Sequence, residues 1–443
     1  MRRSARRRQP PRGFFDAAGL PVTVEESRAL ALVDFEILLR TGAALDPAGK
    51  EGLTRAVFRT LRMGMRGVNS ASVEERIASL GGALGFEIST SFVRVHGAVI
   101  KRNIEPFFAL VTELLREPAF RAKDLAQVKR ATRAELHRVR DNDRALAGRW
   151  FRRTIYAGHP YGRPLAGTAD AISRLTVEDL RAHHRKHLVA SNILVGFSGD
   201  IDRPEAEGLV AKYLSGLSRR KAPTERLPRP KKRAGRHVVV VDKPARTQTQ
   251  ICIGTLGIAV GDPRYFPLQV ANTAFGGTFT STLMQEVREK RGWSYGVHSR
   301  FGADRQRETF TMWSHPGVSD AVDCIALELD LLDRWVGGEL RQKQISFAKK
   351  YLLNSHCFEV DTATKRLEPR LDVELFGLPH DYWERYEEQI RGVKLGPAKT
   401  ALAEVLSPDD LIISLTATAD DVVPGLEALP GVRSVEVIPY DTP

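Results

Sequence analysis

Two side chains suited to binding a polar substrate lie close together in the second half of the chain. Residues 276–297 read GGTFTSTLMQEVREKRGWSYGV, in which Arg291 ends a helix-like segment and Tyr295 follows the glycine that stops it. An arginine can hold a carbonyl or carboxylate at two points, and a tyrosine hydroxyl can donate to a developing oxyanion. The pair indicates substrate binding, and the structural alternative is a helix-terminal arginine beside a packed strand tyrosine.

Three histidines form a second candidate group. His183, His184 and His187 include a pair four residues apart, a spacing at which two imidazoles on one helix face can share a metal ion. No glutamate lies between them. The sequence therefore favours a structural role in packing.

Residues 276–297 resemble the second-domain signature of the insulinase/pitrilysin family of zinc peptidases. In that family the residues matching Arg291 and Tyr295 hold substrate near the metal. Further matches are YGRPLAGT at 161–168 and NILVGFSGD at 192–200. The resemblance covers nearly the whole chain, and it implies that a zinc motif stands in the first half.

That zinc motif is His-x-x-Glu-His, preceded by Gly-Leu and followed by a glycine. The frame from Gly52 to Gly64 aligns without a gap, with Arg55 and Arg59 in place of the histidines and Phe58 in place of the glutamate. Arginine offers only donors, and zinc needs imidazole nitrogens or carboxylates. The sequence predicts that this chain binds no metal and has no peptidase activity of its own.

The family's third metal ligand is a glutamate further downstream, in a helix that reads Ala-Glu-Leu before an Asp-rich turn. Glu135 stands at that place. We expect its carboxylate to pair with Arg59 or Arg55 where the metal would lie, because a buried charge needs a partner. The alternative is an ordinary glutamate on a helix surface.

The order of the elements indicates an internal duplication. A Pro-rich basic linker at 218–236 divides the chain into an N-terminal domain at 14–217 and a C-terminal domain at 237–440. In each half extended segments precede a helix with a Gly-rich neighbour, predicted at 52–64 and 276–291, and long helices follow. We predict an α+β fold in which each domain has a mixed, mainly antiparallel sheet with helices on one face. The resemblance implies that the two domains form half a clamshell.

The net charge of +13 is concentrated at two places. Residues 1–12 carry +6 and the linker at 218–236 carries +8, so the rest of the chain is close to neutral. A surplus confined to a tail and a linker argues against a nucleic-acid-binding domain.

Cysteine usage and hydropathy restrict the compartment. Cys252, Cys324 and Cys357 are odd in number and widely spaced, which favours free thiols over a disulfide framework. No apolar run is long enough for a transmembrane helix, and the basic N-terminus lacks the apolar core of a secretory signal. We expect a cytoplasmic protein, or a periplasmic one if the true start lies upstream.

In the short, two-domain branch of the family, one subunit can carry zinc while a homologous partner lacks it. The sequence therefore predicts a non-catalytic subunit of a heterodimeric zinc metallopeptidase, with the zinc in the partner. It would supply Arg291 and Tyr295 and enclose an unfolded peptide. The alternatives are a structural scaffold of a larger assembly and a homodimeric peptide-binding protein of the same fold.

Overall fold

The computed structural model describes residues 13–222 and 226–442. The basic segment at 1–12 and residues 223–225 of the linker lie outside the described residues. The chain packs into two units. Unit 1 takes the described parts of Met1–Thr132, Leu165–Arg226 and Phe358–Glu384, and unit 2 takes Arg133–Pro164, Leu227–Cys357 and the described part of Arg385–Pro443.

Each unit is built on one six-stranded sheet. The strands, in chain order, are β1 (Phe15–Ala17), β2 (Leu20–Glu26), β3 (Leu32–Leu39), β4 (Ala83–Ile88), β5 (Val93–Ile100), β6 (Ile193–Gly199), β7 (Arg236–Asp242), β8 (Gln250–Leu256), β9 (His298–Phe301), β10 (Thr309–Ser314), β11 (Ile412–Ala417) and β12 (Val432–Pro439). The strand orders are β1-β2-β6-β3-β5-β4 and β12-β7-β11-β8-β10-β9. Most neighbouring strands are antiparallel, and the parallel pairs are β2–β6, β7–β11 and β7–β12.

The helices account for most of the remaining ordered chain. They are α1 (Leu53–Leu61), α2 (Ser70–Ser79), α3 (Ile104–Arg116), α4 (Ala122–Arg138), α5 (Asp143–Ile155), α6 (Ala169–Arg174), α7 (Val177–His187), α8 (Arg203–Leu214), α9 (Tyr265–Phe275), α10 (Ala321–Val336), α11 (Gln342–Glu359), α12 (Ala363–Phe376), α13 (Tyr386–Gly392), α14 (Leu395–Val405) and α15 (Ala419–Glu427). A π-helix runs from Met284 to Glu289. No described helix is both long and apolar enough to cross a membrane.

Helices cover both faces of the sheet of unit 1. Successive side chains of a strand point to opposite faces, so each strand contributes to both contacts. Phe35 of β3 packs against Phe108 of α3, with ring centroids 5.1 Å apart. On the other face Leu38 joins a separate cluster with Leu367 and Leu371 of α12. Gly196 of β6 lies beneath α12, and a Cβ at that position would come within 3 Å of both leucines. The glycine therefore allows the helix to approach the sheet closely.

The sheet of unit 2 is covered in a similar way by a helix from the first half of the chain. Leu146 and Trp150 of α5 share a buried cluster with Val239 and Val241 of β7. The Asp143 carboxylate at the start of α5 accepts a hydrogen bond from Lys243 Nζ at 2.7 Å. Each unit therefore takes one helix from across the linker at 218–236.

These observations confirm the predicted fold class of two mixed, mainly antiparallel sheets with helices, and they add one feature. The sequence placed helices on one face of each sheet, whereas α12 and α5 cover the second faces. The packing units thus differ from the division into 14–217 and 237–440, because residues 133–164 lie in unit 2 and residues 358–384 lie in unit 1.

Candidate functional site

The residues at the predicted motif positions lie on α1, which a buried aspartate fixes at its N-terminus. Asp46 accepts hydrogen bonds from the backbone nitrogens of Gly52 at 2.8 Å and Thr54 at 2.9 Å and from Thr54 Oγ1 at 2.6 Å. Burial raises the pKa of the Asp46 carboxyl to about 6, although these donors oppose the shift. The cap holds the start of the helix, and the following residues extend from it in a fixed register.

Arg55, Phe58 and Arg59 converge on one cleft of about 410 Å³ within unit 1. The opposite wall is Phe86 and Ile88 of β4, an edge strand of the sheet. The rings of Phe58 and Phe86 lie 6.0 Å apart between centroids. The structure therefore brings together the three positions that the sequence analysis singled out.

The cleft is walled by α4 on a further side. The Arg59 guanidinium donates to Thr132 Oγ1 of α4 at 3.3 Å. Glu135 stands three residues further along α4, at a half-buried position, which places it near Thr132 on the helix surface. Its predicted pairing with Arg59 or Arg55 stays a prediction.

The residues present at these positions do not fit a zinc ion. Two guanidinium groups and a phenyl ring offer no lone pair to a metal, and the charges of the arginines oppose its binding. Within 13–222 and 226–442 no three or more His, Cys, Asp and Glu side chains are grouped so as to hold a metal ion. The cleft can instead offer donors and apolar surface to a peptide.

A glycine, Gly85, lies in the edge strand beside the cleft. A Cβ added to Gly85 would overlap the imidazole of His96 on the neighbouring strand β5. A side chain at position 85 would have to displace that ring. Gly85 therefore leaves room for the imidazole of His96 at the edge of the sheet.

The predicted Arg/Tyr element lies in unit 2, around the π-helix Met284–Glu289. Gly292 has a φ of +66°, a conformation that favours glycine, and it ends the segment. Its nitrogen donates to the Arg288 carbonyl at 2.9 Å, and Trp293 donates to the Val287 carbonyl at 3.2 Å. The predicted helix stop at Gly292 is therefore present.

The glycines that precede the π-helix pack against their own chain. A Cβ at Gly276 would overlap Ser299 and Leu283, and one at Gly277 would lie 2.8 Å from Thr273 Cα. The pair is therefore required by local packing at the end of α9.

Arg291 is held by a neighbouring acid. Its Nη1 donates to the Glu286 carbonyl oxygen at 2.8 Å and to Glu286 Oε2 at 3.1 Å. The same carboxylate also accepts from Lys290 at 2.6 Å. These bonds direct the Arg291 guanidinium back toward its own helix.

The guanidinium beside Tyr295 belongs to Arg288. Its Cζ lies 4.8 Å from the centroid of the Tyr295 ring and 4.4 Å from that of Phe279. Arg288 Nη1 is buried, and no hydrogen-bond partner for it is found among the described residues. Tyr295 is 81% exposed and Phe279 is 64% exposed. Arg288 Nε lies 3.8 Å from Glu289 Oε1. Two exposed rings on a guanidinium thus form a surface that can receive a peptide carbonyl or carboxylate.

Sequence reasoning gave no indication that Arg288 lies against Tyr295, because the helix is locally π-helical. A π-turn bonds residue i to i+5 and changes which side chains share a face. The sequence carries no reliable signal for such a turn, although the position of Arg288 before the glycine stop makes it a second candidate.

The three histidines of α7 serve packing, as the sequence favoured. His183 Nε2 is 3.0 Å from Thr54 Oγ1, and His187 Nδ1 is 3.1 Å from Thr41 Oγ1. His184 Nε2 donates to the Leu115 carbonyl at 2.6 Å. Burial lowers the pKa of His183 to about 3, so its imidazole is neutral in the folded protein.

The cysteines are free, as predicted. Cys252 and Cys324 are buried, and Cys357 is exposed.

Comparisons with known proteins agree with this architecture. Residues 174–352 match the family described as the peptidase M16 inactive domain. An uncharacterized zinc protease of Streptomyces coelicolor is 25% identical over 341 residues, which cover 76% of this chain and 74% of that protein. A non-peptidase homolog of Helicobacter pylori is 21% identical over 380 residues, which cover 85% of this chain and 87% of that protein.

A solved structure has the same fold. The crystal structure of a peptidase M16 inactive domain from Pseudomonas fluorescens superimposes with a TM-score of 0.85 at 24% identity, covering 91% of this chain and 97% of that one. At that identity the likeness establishes the fold, and the chemistry of this chain has to be argued from its own residues.

Proposed function

We propose that this chain, of which residues 174–352 match the peptidase M16 inactive domain, is a non-catalytic subunit of a heterodimeric zinc metallopeptidase. The observation that carries the proposal is the convergence of Arg55, Phe58 and Arg59 on one cleft beside an edge strand. The resemblance aligns these three positions with the family's metal-binding motif, and arginine and phenylalanine side chains cannot ligate a metal.

The partner of such a subunit would be a homologous chain with an intact His-x-x-Glu-His motif and its own zinc. This chain would contribute a substrate-binding surface and help to enclose an unfolded peptide. The exposed ring of Tyr295 supports a binding role, because a large aromatic side chain that is 81% exposed contributes little to the stability of its own unit.

Within that surface we assign the guanidinium contact to Arg288. The sequence pointed to Arg291, whose Nη1 donates to the Glu286 carbonyl and carboxylate. Arg288 lies against the exposed rings of Tyr295 and Phe279, and its ion pair with Glu289 is long, at 3.8 Å.

The experiment compares the two arginines in the presence of the zinc-bearing partner. We expect Arg288→Ala and Tyr295→Phe each to lower kcat/KM for an unfolded peptide by about 10²-fold, as does removal of an oxyanion donor. Arg291→Ala is the matched control on the same segment, with an expected loss of less than about threefold. The reverse order would return the role to Arg291, and unchanged turnover in all three would refute a substrate contact here.

Measurements on the isolated chain test the non-catalytic assignment. Elemental analysis should find no stoichiometric zinc, and the chain alone should cleave no peptide. The triple variant Arg55→His, Phe58→Glu, Arg59→His should bind about one zinc ion, and adding Glu135→Gln should weaken that binding by 10-fold or more. Chelator-sensitive hydrolysis by the unmodified chain would refute the proposal.

Co-purification with a large assembly would favour the scaffold, and self-association alone would favour a homodimeric binding protein.

A further inference from the structure

Unit 2 contains a second cleft that the proposed function does not use. It has a volume of about 600 Å³ and lies between the C-terminal end of α10 and the N-terminal part of α11. Neither Arg288 nor Tyr295 lines it. Its volume falls within the range of about 300–1,000 Å³ that is usual for ligand pockets.

The floor of this cleft is aromatic and rigid. Phe275 and Trp335 are stacked, with ring centroids 4.1 Å apart and an interplanar angle of 4°. Both side chains are buried, so the floor is already formed without a ligand. A preformed apolar floor lowers the entropic cost of receiving an apolar side chain.

An exposed aromatic ledge continues from the cleft along α11. Phe347 lines the rim and is 44% exposed, and Tyr351, one turn further, is 45% exposed. Their rings are stacked with centroids 6.3 Å apart. Adjacent exposed rings on one helix face are typical of an interaction surface.

The charges at the rim leave a surplus of cations. Arg334, Arg341 and Lys343 line the cleft together with Glu286 and Glu339, which is a net charge of +1. Arg334 is paired with Asp330 at 3.0 Å and with Glu339 at 3.7 Å, and Glu286 is paired with Lys290 at 2.6 Å. Arg341 and Lys343 also line the cleft, and no ion pair involves either of them in the parts of the chain that the structure describes. A carboxylate bound between Arg341 and Lys343 would neutralise this surplus of one positive charge.

The wall between floor and rim is polar and hydrogen-bonding. Gln344 Nε2 donates to Thr282 Oγ1 at 3.3 Å across the cleft, and Gln344 Oε1 accepts from the Arg341 nitrogen at 2.9 Å. An amide and a hydroxyl beside an apolar floor match the alternating polar and apolar groups of a peptide.

We propose that this cleft binds a polypeptide segment in which a bulky apolar side chain lies next to an acidic one. The apolar side chain packs on Phe275 and Trp335, and the carboxylate lies against Arg341 and Lys343. Neighbouring apolar residues of the segment cover Phe347. The cleft is a recognition site separate from the Tyr295 surface, and its occupancy requires no zinc-bearing partner.

The test measures peptide binding to the purified full chain by fluorescence anisotropy. The probe is a labelled peptide with the sequence Gly-Ser-Glu-Phe-Asp-Leu-Ser-Gly. One control peptide replaces both acids by lysine, and another replaces Phe and Leu by serine. We expect saturable binding of the first peptide, weakening as salt is added because exposed charges are screened, and at least tenfold weaker binding of both controls.

Variants locate the bound peptide. Arg341→Glu with Lys343→Glu should weaken binding by about tenfold, since each exposed charge contributes a modest amount. Phe347→Ala should weaken it by about threefold or more through lost apolar contact. Arg433→Glu on β12 reverses an exposed charge that does not line the cleft and should leave the affinity unchanged.

Two results would overturn the proposal. In one, the acidic-aromatic peptide binds no tighter than the control peptides. In the other, Tyr295→Ala abolishes binding while the Arg341/Lys343 double variant does not, which would place the peptide on the Tyr295 surface. Circular dichroism of each variant confirms that the fold is retained, so weakened binding cannot reflect unfolding.

Discussion

A buried carboxyl group in unit 2 makes the stability of this protein depend on pH. Glu328 of α10 has no exposed surface, and neither of its oxygens has a partner at hydrogen-bonding geometry among the described residues. Burial raises the pKa of the Glu328 carboxyl from 4.5 to about 8, and the nearby Ser314 hydroxyl opposes the shift. The folded protein therefore keeps this proton at neutral pH, whereas the unfolded chain releases it.

The sign and size of the effect follow from proton linkage. Below pH 4.5 both states are protonated, and Glu328 adds no pH dependence. As the pH rises from 4.5 toward 8, the unfolded state is favoured by about 1.4 kcal/mol per unit. Between about pH 5.5 and about pH 7.5 the free energy of unfolding should thus fall by roughly 2–3 kcal/mol on account of this one residue.

Glu328→Gln removes the titration with little change in shape. Urea unfolding should show that this variant gains roughly 2–3 kcal/mol over the parent between the two pH values. Other buried acids, such as Glu36, titrate in both proteins and cancel in the comparison. Asp323→Asn makes the same chemical change at an exposed position of α10 and serves as the control. Parallel pH profiles for the parent and Glu328→Gln would refute the reasoning.

Two further substitutions test the titrating groups of unit 1. Because the pKa of His183 is lowered from 6.5 to about 3, only the unfolded chain takes up a proton at this residue as the pH falls below 6.5, and the free energy of unfolding decreases. His183→Gln should therefore flatten the decline in urea midpoint between about pH 6.5 and pH 4.5. An unchanged slope would contradict this. Arg94→Met removes the cation that lies 3.3 Å from the buried Glu36 and should cost about 3–5 kcal/mol above pH 7. The cost should be smaller near pH 5.5, because burial raises the pKa of Glu36 to about 7, and equal urea midpoints at both pH values would count against that account.

The sheets could be predicted from the sequence because their signals are local. Runs such as HVVVVD at 237–242 are apolar and β-branched, and they form the buried strand β7. The pairing of α12 with the first sheet could not be predicted. Leu367, Leu371 and Leu375 recur at a helical spacing, which indicates an apolar face and does not identify the surface that covers it. Gly196 of β6 leaves the space into which these leucines pack, and a single sequence does not show that the glycine and the leucines are in contact.

Part of the candidate site could likewise be predicted from the sequence, and part could not. The frame from Gly52 to Gly64 fixed the positions of Arg55, Phe58 and Arg59, because an α-helix of that length places them by periodicity alone, and the structure places all three on one cleft. For the substrate contact in unit 2, the sequence named Arg291 together with Tyr295. In the structure the π-turn places the Arg288 guanidinium against the Tyr295 ring, while Arg291 bonds to the carboxylate and carbonyl of Glu286. A substrate contact inferred from spacing therefore holds only as far as the helix remains α-helical and its neighbours leave the side chain unoccupied.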